Sequence, residues 1–271
     1  MAFINNNGAK IYWDEQGSGQ PLLLIMGLGY PSVMWHRSRP IVSACYRTIA
    51  FDNRGAGQSD VPPGPYSIAQ MASDAAAVLD AAGVPTAHVF GISMGGMIAQ
   101  EFALRYPDRV RSLILGCTAA GGPTAQRAEP AAIEMLTSRG NMTPEQAAEA
   151  AVPFIYDGAT PRRLIDEDID IRRPWFPTRE GYYAQLQAIM GWESYSRLQG
   201  ISAPTLVIHG KADRLVPSRN GEILAGRISG AKLVLLDHAS HLFSTDRPEA
   251  AHKAILEFLA SVAQLEHSEI A

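Results

Sequence analysis

Short apolar runs alternate with longer segments of helical periodicity over most of this chain. The runs PLLLIMG at 21–27, AHVFGIS at 87–93 and APTLVIHG at 203–210 are each bounded by turn residues, and helix-like segments lie between them. Buried strands separated by helices of this length imply parallel crossovers with helices on both faces of the sheet. The stretch 3–17, which turns at NNNG, predicts a hairpin at an antiparallel edge. The alternation therefore predicts an α/β fold around a mostly parallel central sheet.

The stretch 119–199 departs from this alternation. It is rich in proline, arginine and aromatic residues, and it contains helix-like pieces such as TPEQAAEAAVPFIY at 143–156 but no clear strand pattern. We therefore expect a core domain formed by residues 1–118 and 200–271. A helical cap, inserted at 119–199, is expected to lie over the carboxyl ends of the strands.

The composition excludes several classes of protein. With 46% hydrophobic and 18% charged residues, the 271-residue chain can bury a substantial core. A net charge of −4 shows no basic excess that would attract nucleic acid. No secretory leader and no apolar run long enough to cross a bilayer are visible, and Cys45 and Cys117 fit reduced thiols better than a disulfide. We expect a cytoplasmic protein that binds neither nucleic acid nor membranes, and the sequence leaves open whether it is a monomer or a homo-oligomer.

A serine flanked by glycines stands where a predicted strand meets a predicted helix. The motif is Gly91-x-Ser93-x-Gly95, between AHVF and a segment of helical periodicity. A sharp strand-to-helix turn needs small residues two positions away on each side, and it exposes the serine hydroxyl beside a helix N-terminus. The motif alone also occurs by chance, but its context favours a nucleophile elbow with Ser93 as the nucleophile.

A serine nucleophile needs a base, and the base needs an orienting acid. Asp213 follows the predicted strand at 203–210, and His241 follows the last predicted strand, so both are expected at the same sheet edge as Ser93. His238 is a rival base and Asp237 a rival acid. We favour His241 because it lies further along the loop after two small residues, and Asp213 because Asp237 shares the loop of the base.

His209 and the histidines in general show no metal-ligand spacing, and we expect neither a metal nor a cofactor. The segment MGLGYPS after the first parallel strand could suggest a dinucleotide fingerprint. Its sixth position is Ser32 rather than glycine or alanine, and Pro31 fits poorly at a helix start. We therefore discount nucleotide binding.

From about residue 3 to 265 the chain resembles the serine hydrolases of α/β-hydrolase fold, of carboxylesterase and lactonase type. The elbow, the Ser-Asp-His order and the loop DNRGAGQSD at 52–60 carry the resemblance, which is closest to 3-oxoadipate enol-lactonase-like and acyl-homoserine-lactonase-like members. It implies nucleophile Ser93, acid Asp213 and base His241.

The resemblance also implies an oxyanion hole made by backbone N–H groups. The N–H of Met94, directly after the nucleophile, and that of Leu28 in MGLGY are the expected donors. Met26 stands where the family commonly has histidine. This departure leaves the backbone donors intact but puts the support of the loop in doubt.

The substrate pocket is expected to combine residues of this loop with aromatic residues of the cap. The expected substrate-binding residues are Met26, Gly27, Gly29, Tyr30, Trp175 and Trp192. Four arginines of the expected cap could attract a carboxylate, namely Arg162, Arg163, Arg172 and Arg173. The segment DEDIDIRR, however, supplies acidic partners for these arginines.

The sequence thus predicts a cofactor-free hydrolase of small-molecule carboxylic esters or lactones, acyl-homoserine lactones among them, acting through an acyl-enzyme. Two alternatives remain open, because a fold does not fix a function. One is a C–C bond hydrolase or a perhydrolase using the same triad. The other is a hydrolase-like ligand receptor with weak turnover.

Overall fold

The structure, a computed structural model, describes residues 2–270, with side chains through Gln264. Eight strands form one sheet in the order β1-β2-β4-β3-β5-β6-β7-β8. The strands are β1 Ala2–Asn6, β2 Ala9–Gln16, β3 Gln20–Ile25, β4 Tyr46–Phe51, β5 Ala87–Ile92, β6 Val110–Gly116, β7 Thr205–Gly210 and β8 Lys232–Leu236. Pairs β1–β2 and β2–β4 are antiparallel and the remaining pairs are parallel. The predicted α/β-hydrolase fold class, with a mostly parallel central sheet and helices on both faces, is confirmed.

The helices begin and end close to the sequence signals for capping and termination. They are α1 Arg39–Val42, α2 Ile68–Ala81, α3 Met94–Arg105, α4 Pro130–Ser138, α5 Pro144–Ile155, α6 Arg162–Arg172, α7 Arg179–Met190, α8 Arg219–Arg227, α9 Phe243–Asp246 and α10 Pro248–Ile270. Ser67 caps α2 by accepting the Gln70 N–H, and Thr143 forms a capping box with Gln146 at the start of α5. Among the described residues, no helix combines the length and the hydrophobicity that a bilayer crossing requires.

Two hydrophobic clusters cover the two faces of the sheet. Alternate residues of β3 divide between them, with Leu23 and Ile25 in one cluster and Leu22 and Leu24 in the other. The first cluster includes apolar residues of α2, α3 and α8, and the second includes residues of α10 and of the cap helices α4, α5 and α6. Apolar residues on both sides explain why the central strands read as continuous apolar runs rather than as alternating patterns.

A buried ion pair fixes the loop between β4 and α2. Arg54 donates from Nε and Nη2 to the two carboxylate oxygens of Asp74, each at 2.7 Å, and both side chains are 1% exposed. The Asn6 amide donates to the same carboxylate at 2.8 Å. This loop is the segment DNRGAGQSD, so the ion pair holds a loop that neighbours the predicted site.

Replacing the buried acid Asp74 should destabilise the protein more than replacing an exposed acid. We expect Asp74→Ala to lower the free energy of unfolding by about 3–5 kcal/mol, because it leaves the Arg54 guanidinium buried and unpaired. Asp80→Ala is the matched control on the same helix, since the Asp80 side chain is 67% exposed and pairs with Arg109; it should cost less than about 1 kcal/mol. Urea denaturation measures both, and equal losses would contradict the assignment.

Candidate active site

Ser93 lies between β5 and α3 with φ 55° and ψ −123°, a backbone conformation that residues other than glycine rarely adopt. The neighbouring glycines are sterically required. A Cβ at Gly95 would lie 2.1 Å from the Ile25 carbonyl oxygen, and a Cβ at Gly91 would lie 2.1 Å from the Gly95 carbonyl oxygen. The sequence therefore folds into a strained turn that presents the Ser93 hydroxyl at the carboxyl end of the sheet.

Asp213 and His241 lie side by side on the loops after β7 and β8. The His241 Nδ1 and the Asp213 Oδ2 atoms are 2.8 Å apart, and both side chains are buried. The other carboxylate oxygen of Asp213 accepts the backbone N–H groups of Leu215 and Val216. Since Ser93 and His241 line the same cavity of about 190 Å³, the fold brings together the three residues expected from the sequence.

The charges of this pair shift both pKa values. Burial raises the pKa of the Asp213 carboxyl, but the His241 ring, together with His209, outweighs this effect and holds that pKa below its usual value. Burial lowers the pKa of the His241 ring, but the Asp213 carboxylate, followed by Cys117, outweighs burial and raises that pKa well above its usual value. The carboxylate therefore stabilises the protonated imidazole.

The other candidates for the base and the acid lie outside the cavity. His238 and Asp237 are exposed, and Asp237 pairs with Lys211 at 2.7 Å. The buried His209 Nε2 lies 2.7 Å from the Val216 carbonyl oxygen and 3.3 Å from the Asp213 carboxylate. His209 thus contacts the acid but does not line the cavity.

Two backbone N–H groups beside Ser93 have no hydrogen-bond acceptor within the described part of the chain, namely those of Leu28 and Met94. Met94 begins α3, so its N–H has no partner within the helix. Leu28 follows Gly27, whose Cβ, if present, would lie 3.0 Å from the Ser93 Cβ. Both N–H groups belong to residues that line the cavity. They are available to a ligand oxygen next to Ser93.

The loop that carries Leu28 is braced by residues distant in sequence. The buried Gln185 of α7 accepts the Gly29 N–H at 2.7 Å and donates to the Arg54 carbonyl oxygen at 2.7 Å. Asn53 donates from its side-chain amide to the Met26 carbonyl oxygen at 2.9 Å. These bonds support the loop at the position where the family commonly has histidine, and no sequence signal marks the role of Gln185.

Some of the expected substrate-binding residues lie elsewhere. Met26, Gly27 and Tyr30 line the cavity, whereas Gly29 contributes its N–H to Gln185 as described. Trp192 is buried and donates from Nε1 to the Glu101 carboxylate at 2.9 Å, so it belongs to the core. Trp175 is partly exposed and borders a separate groove beside β2. The expectation that these two tryptophans line the pocket is therefore corrected, because both side chains are directed elsewhere.

Cap residues that the sequence did not single out complete the wall. The cavity-lining side chains of α4, α5, α7 and the turn after α4 are Met135, Leu136, Arg139, Ala151, Ile155, Leu186 and Ile189. Leu215 and Val216, directly after Asp213, line it as well. Spacing of three residues between Leu186 and Ile189 places them on one face of α7, and this spacing is the only sequence signal that marks them.

The comparisons with known proteins agree with this geometry. The family model described as alpha/beta hydrolase fold matches residues 20–152, and one described as TAP-like protein matches residues 191–267. A putative carbamate hydrolase RutD from Azorhizobium caulinodans is 33% identical, over 97% of this chain and 100% of its own length. A poly(3-hydroxyalkanoate) depolymerase from Ectopseudomonas oleovorans is 35% identical over 88% of this chain and 84% of its own length.

Among solved structures, the enol-lactonase from Burkholderia xenovorans is similar with a TM-score of 0.86 and 28% identity, covering 96% of this chain and 100% of that one. The chain belongs to the α/β-hydrolase fold family. Within it, the protein is an enzyme of the hydrolase class.

Removing the Gln185 brace should destabilise the protein. Gln185→Leu leaves the Gly29 N–H and the Arg54 carbonyl buried without partners, and we expect a loss of about 2–4 kcal/mol in the free energy of unfolding. Gln187→Leu, at an exposed position of the same helix, should change it by less than about 0.5 kcal/mol. Denaturant titration of both variants measures these changes in the free energy of unfolding. A Gln185→Leu variant as stable as wild type would show that these bonds do not brace the loop.

Proposed function

We propose that the protein hydrolyses carboxylic esters or lactones through an acyl-enzyme on Ser93. The observation that carries the proposal is the strained turn at Ser93, which shares one cavity with a buried His241–Asp213 pair. Esterase and lactonase activities are named among the relatives, and they support the same class of substrate.

In the proposed mechanism His241 removes the Ser93 proton while the serine oxygen attacks the ester carbonyl. The N–H groups of Leu28 and Met94 donate to the oxyanion of the tetrahedral intermediate. The protonated His241 then gives its proton to the departing alkoxide, and the carbon–oxygen bond of the ester breaks. Water, deprotonated by His241, attacks the acyl-enzyme by the same route and releases the acid and free Ser93. With a lactone, the alcohol stays attached to the acyl chain and the ring opens.

Asp213 supports each proton transfer. Its carboxylate orients the imidazole through Nδ1 and stabilises the imidazolium, which the direction of both pKa shifts supports. The walls of the cavity are mostly methionine and aliphatic side chains, which favours an apolar acyl chain or ring next to the scissile bond.

The nucleophile is tested by Ser93→Ala on p-nitrophenyl esters from acetate to decanoate and on γ-lactones. We expect wild-type turnover, and a loss of kcat/KM by at least about 10³-fold in the variant. Ser196→Ala, at an exposed serine, is the control and should retain full activity. Equal rates in wild type and Ser93→Ala would refute the assignment. A wild type active only on β-diketones or in perhydrolysis would favour the other reactions of this triad.

The role of the acid is tested by the pH profile of Asp213→Asn. Protonated His241 cannot act as a base, so kcat/KM should fall as the pH drops through the His241 pKa, which lies above the ordinary histidine value. Without the carboxylate, burial remains and lowers this pKa, so the acid limb should shift to lower pH while kcat falls by about 10⁴-fold. Asp237→Asn should leave the profile unchanged, because Asp237 is exposed. An unshifted acid limb in Asp213→Asn would contradict the assignment.

A further inference from the structure

One permanently charged side chain lies in the otherwise apolar wall of the Ser93 cavity. Arg139 follows α4 in the turn Arg139–Asn141 and lines the cavity together with methionine, leucine and isoleucine side chains. Apart from His241, the other lining residues carry no ionisable group but the phenol of Tyr30. A guanidinium in such surroundings is less screened than one at an open surface.

Arg139 has no carboxylate partner within the described residues, whereas three arginines of the cap that the sequence singles out have one. Arg162 pairs with Glu149 and Asp166, and Arg163 pairs with Glu167. The exposed Arg173 pairs with Asp170. Acidic residues of the cap therefore neutralise these three outer arginines and leave Arg139 at the cavity unpaired.

Arg172 is buried but does not line the cavity. Its guanidinium carbon lies 4.3 Å from the centre of the Tyr30 ring, so this ring separates it from the interior. Arg172 adds positive charge behind the wall, whereas Arg139 stands in the wall itself. A ligand in the cavity can therefore contact Arg139 directly.

Two tyrosines of α7 hold the turn that carries Arg139. The Tyr182 hydroxyl donates to the Leu136 carbonyl oxygen at 3.0 Å, and its ring centre lies 4.9 Å from the Arg139 guanidinium carbon. The Tyr183 hydroxyl accepts the Gly140 N–H at 3.0 Å and donates to the Thr137 carbonyl oxygen at 2.7 Å. The backbone on both sides of Arg139 is therefore fixed, and a cation–π contact with the Tyr182 ring restrains the guanidinium.

A guanidinium that has no carboxylate partner and whose position is restrained is suited to bind a carboxylate through two parallel hydrogen bonds. We propose that Arg139 binds a carboxylate at the acyl end of the substrate, so that the preferred substrates are esters or lactones carrying a second, anionic carboxyl group beyond an apolar linker. The inference rests on the proposed function, since it assumes that Ser93 attacks an ester in this cavity.

The test compares two p-nitrophenyl esters of matched length, the hemiester of glutaric acid and the neutral ester of pentanoic acid. The readout is the ratio of kcat/KM for the acidic ester to that for the neutral ester. We expect wild type to favour the acidic ester and Arg139→Met to lower the ratio by about 10- to 100-fold, mainly through KM. Arg139→Lys should retain part of the preference, because it keeps the charge but not the paired donors.

Arg179→Met is the matched control. Arg179 is the first residue of α7 in the same cap, and its side chain is exposed. It lies near the Tyr183 ring but does not line the cavity. Its replacement removes one positive charge from the cap and should leave the ratio unchanged. An equal decrease in Arg179→Met and Arg139→Met would overturn the proposal, because it would show an effect of overall charge rather than contact.

The two proposals fail in different ways. If wild type hydrolyses both esters and the ratio does not change in Arg139→Met, the carboxylate site is refuted while the ester hydrolase stands. If wild type hydrolyses neither these esters nor the lactones, the proposed function is refuted, and the carboxylate site with it.

Discussion

The first turn of α3 lies so close to the end of β3 that no side chain fits between them. A Cβ at Gly95 would meet the Ile25 carbonyl oxygen at 2.1 Å, and a Cβ at Gly91 would meet the Gly95 carbonyl oxygen at the same distance. This contact forces the chain at Ser93 into positive φ and directs the helix N-terminus at the cavity. The position of the hydroxyl, the free N–H of Met94 and the location of the Leu28 loop all depend on it. The strain at Ser93 is offset by the buried packing of β3, β5 and α3 around it.

The cap is structurally part of the site rather than a separate cover. The half-buried carboxylate of Asp246 accepts the Ser240 N–H at 2.7 Å and the Thr160 hydroxyl at 2.6 Å. On the other side of His241, the Leu242 N–H donates to the Ile155 carbonyl oxygen at 2.8 Å. The residue before the histidine is therefore linked to the cap through Asp246, and the residue after it is bonded to the cap directly. Because the cap also supplies Gln185 to the Leu28 loop, its position affects the base and the expected oxyanion donors together.

The fold and the grouping of Ser93, Asp213 and His241 were predictable because each depends on local sequence signals and on a topological rule. Strand carboxyl ends meet at one edge of a parallel sheet, so residues that follow separate strands converge. The pocket was not predictable in this way. Aromatic character does not fix the direction of a side chain, and Trp192 is directed to Glu101 instead. Whether an arginine is paired depends on neighbours in space, so the sequence could not distinguish Arg139 from Arg162.

The apolar wall of the cavity strengthens the electrostatic interactions of the few polar groups within it. Where water is largely replaced by methionine and aliphatic side chains, both the N–H donors beside Ser93 and the Arg139 guanidinium act with little screening. These groups come from different layers of the molecule. The sheet edge positions Ser93 and His241, whereas the cap supplies Arg139. In the proposed reaction, bond cleavage and substrate choice therefore depend on separate elements, so a substitution in the turn after α4 should alter selectivity while the strained turn at Ser93 stays in place.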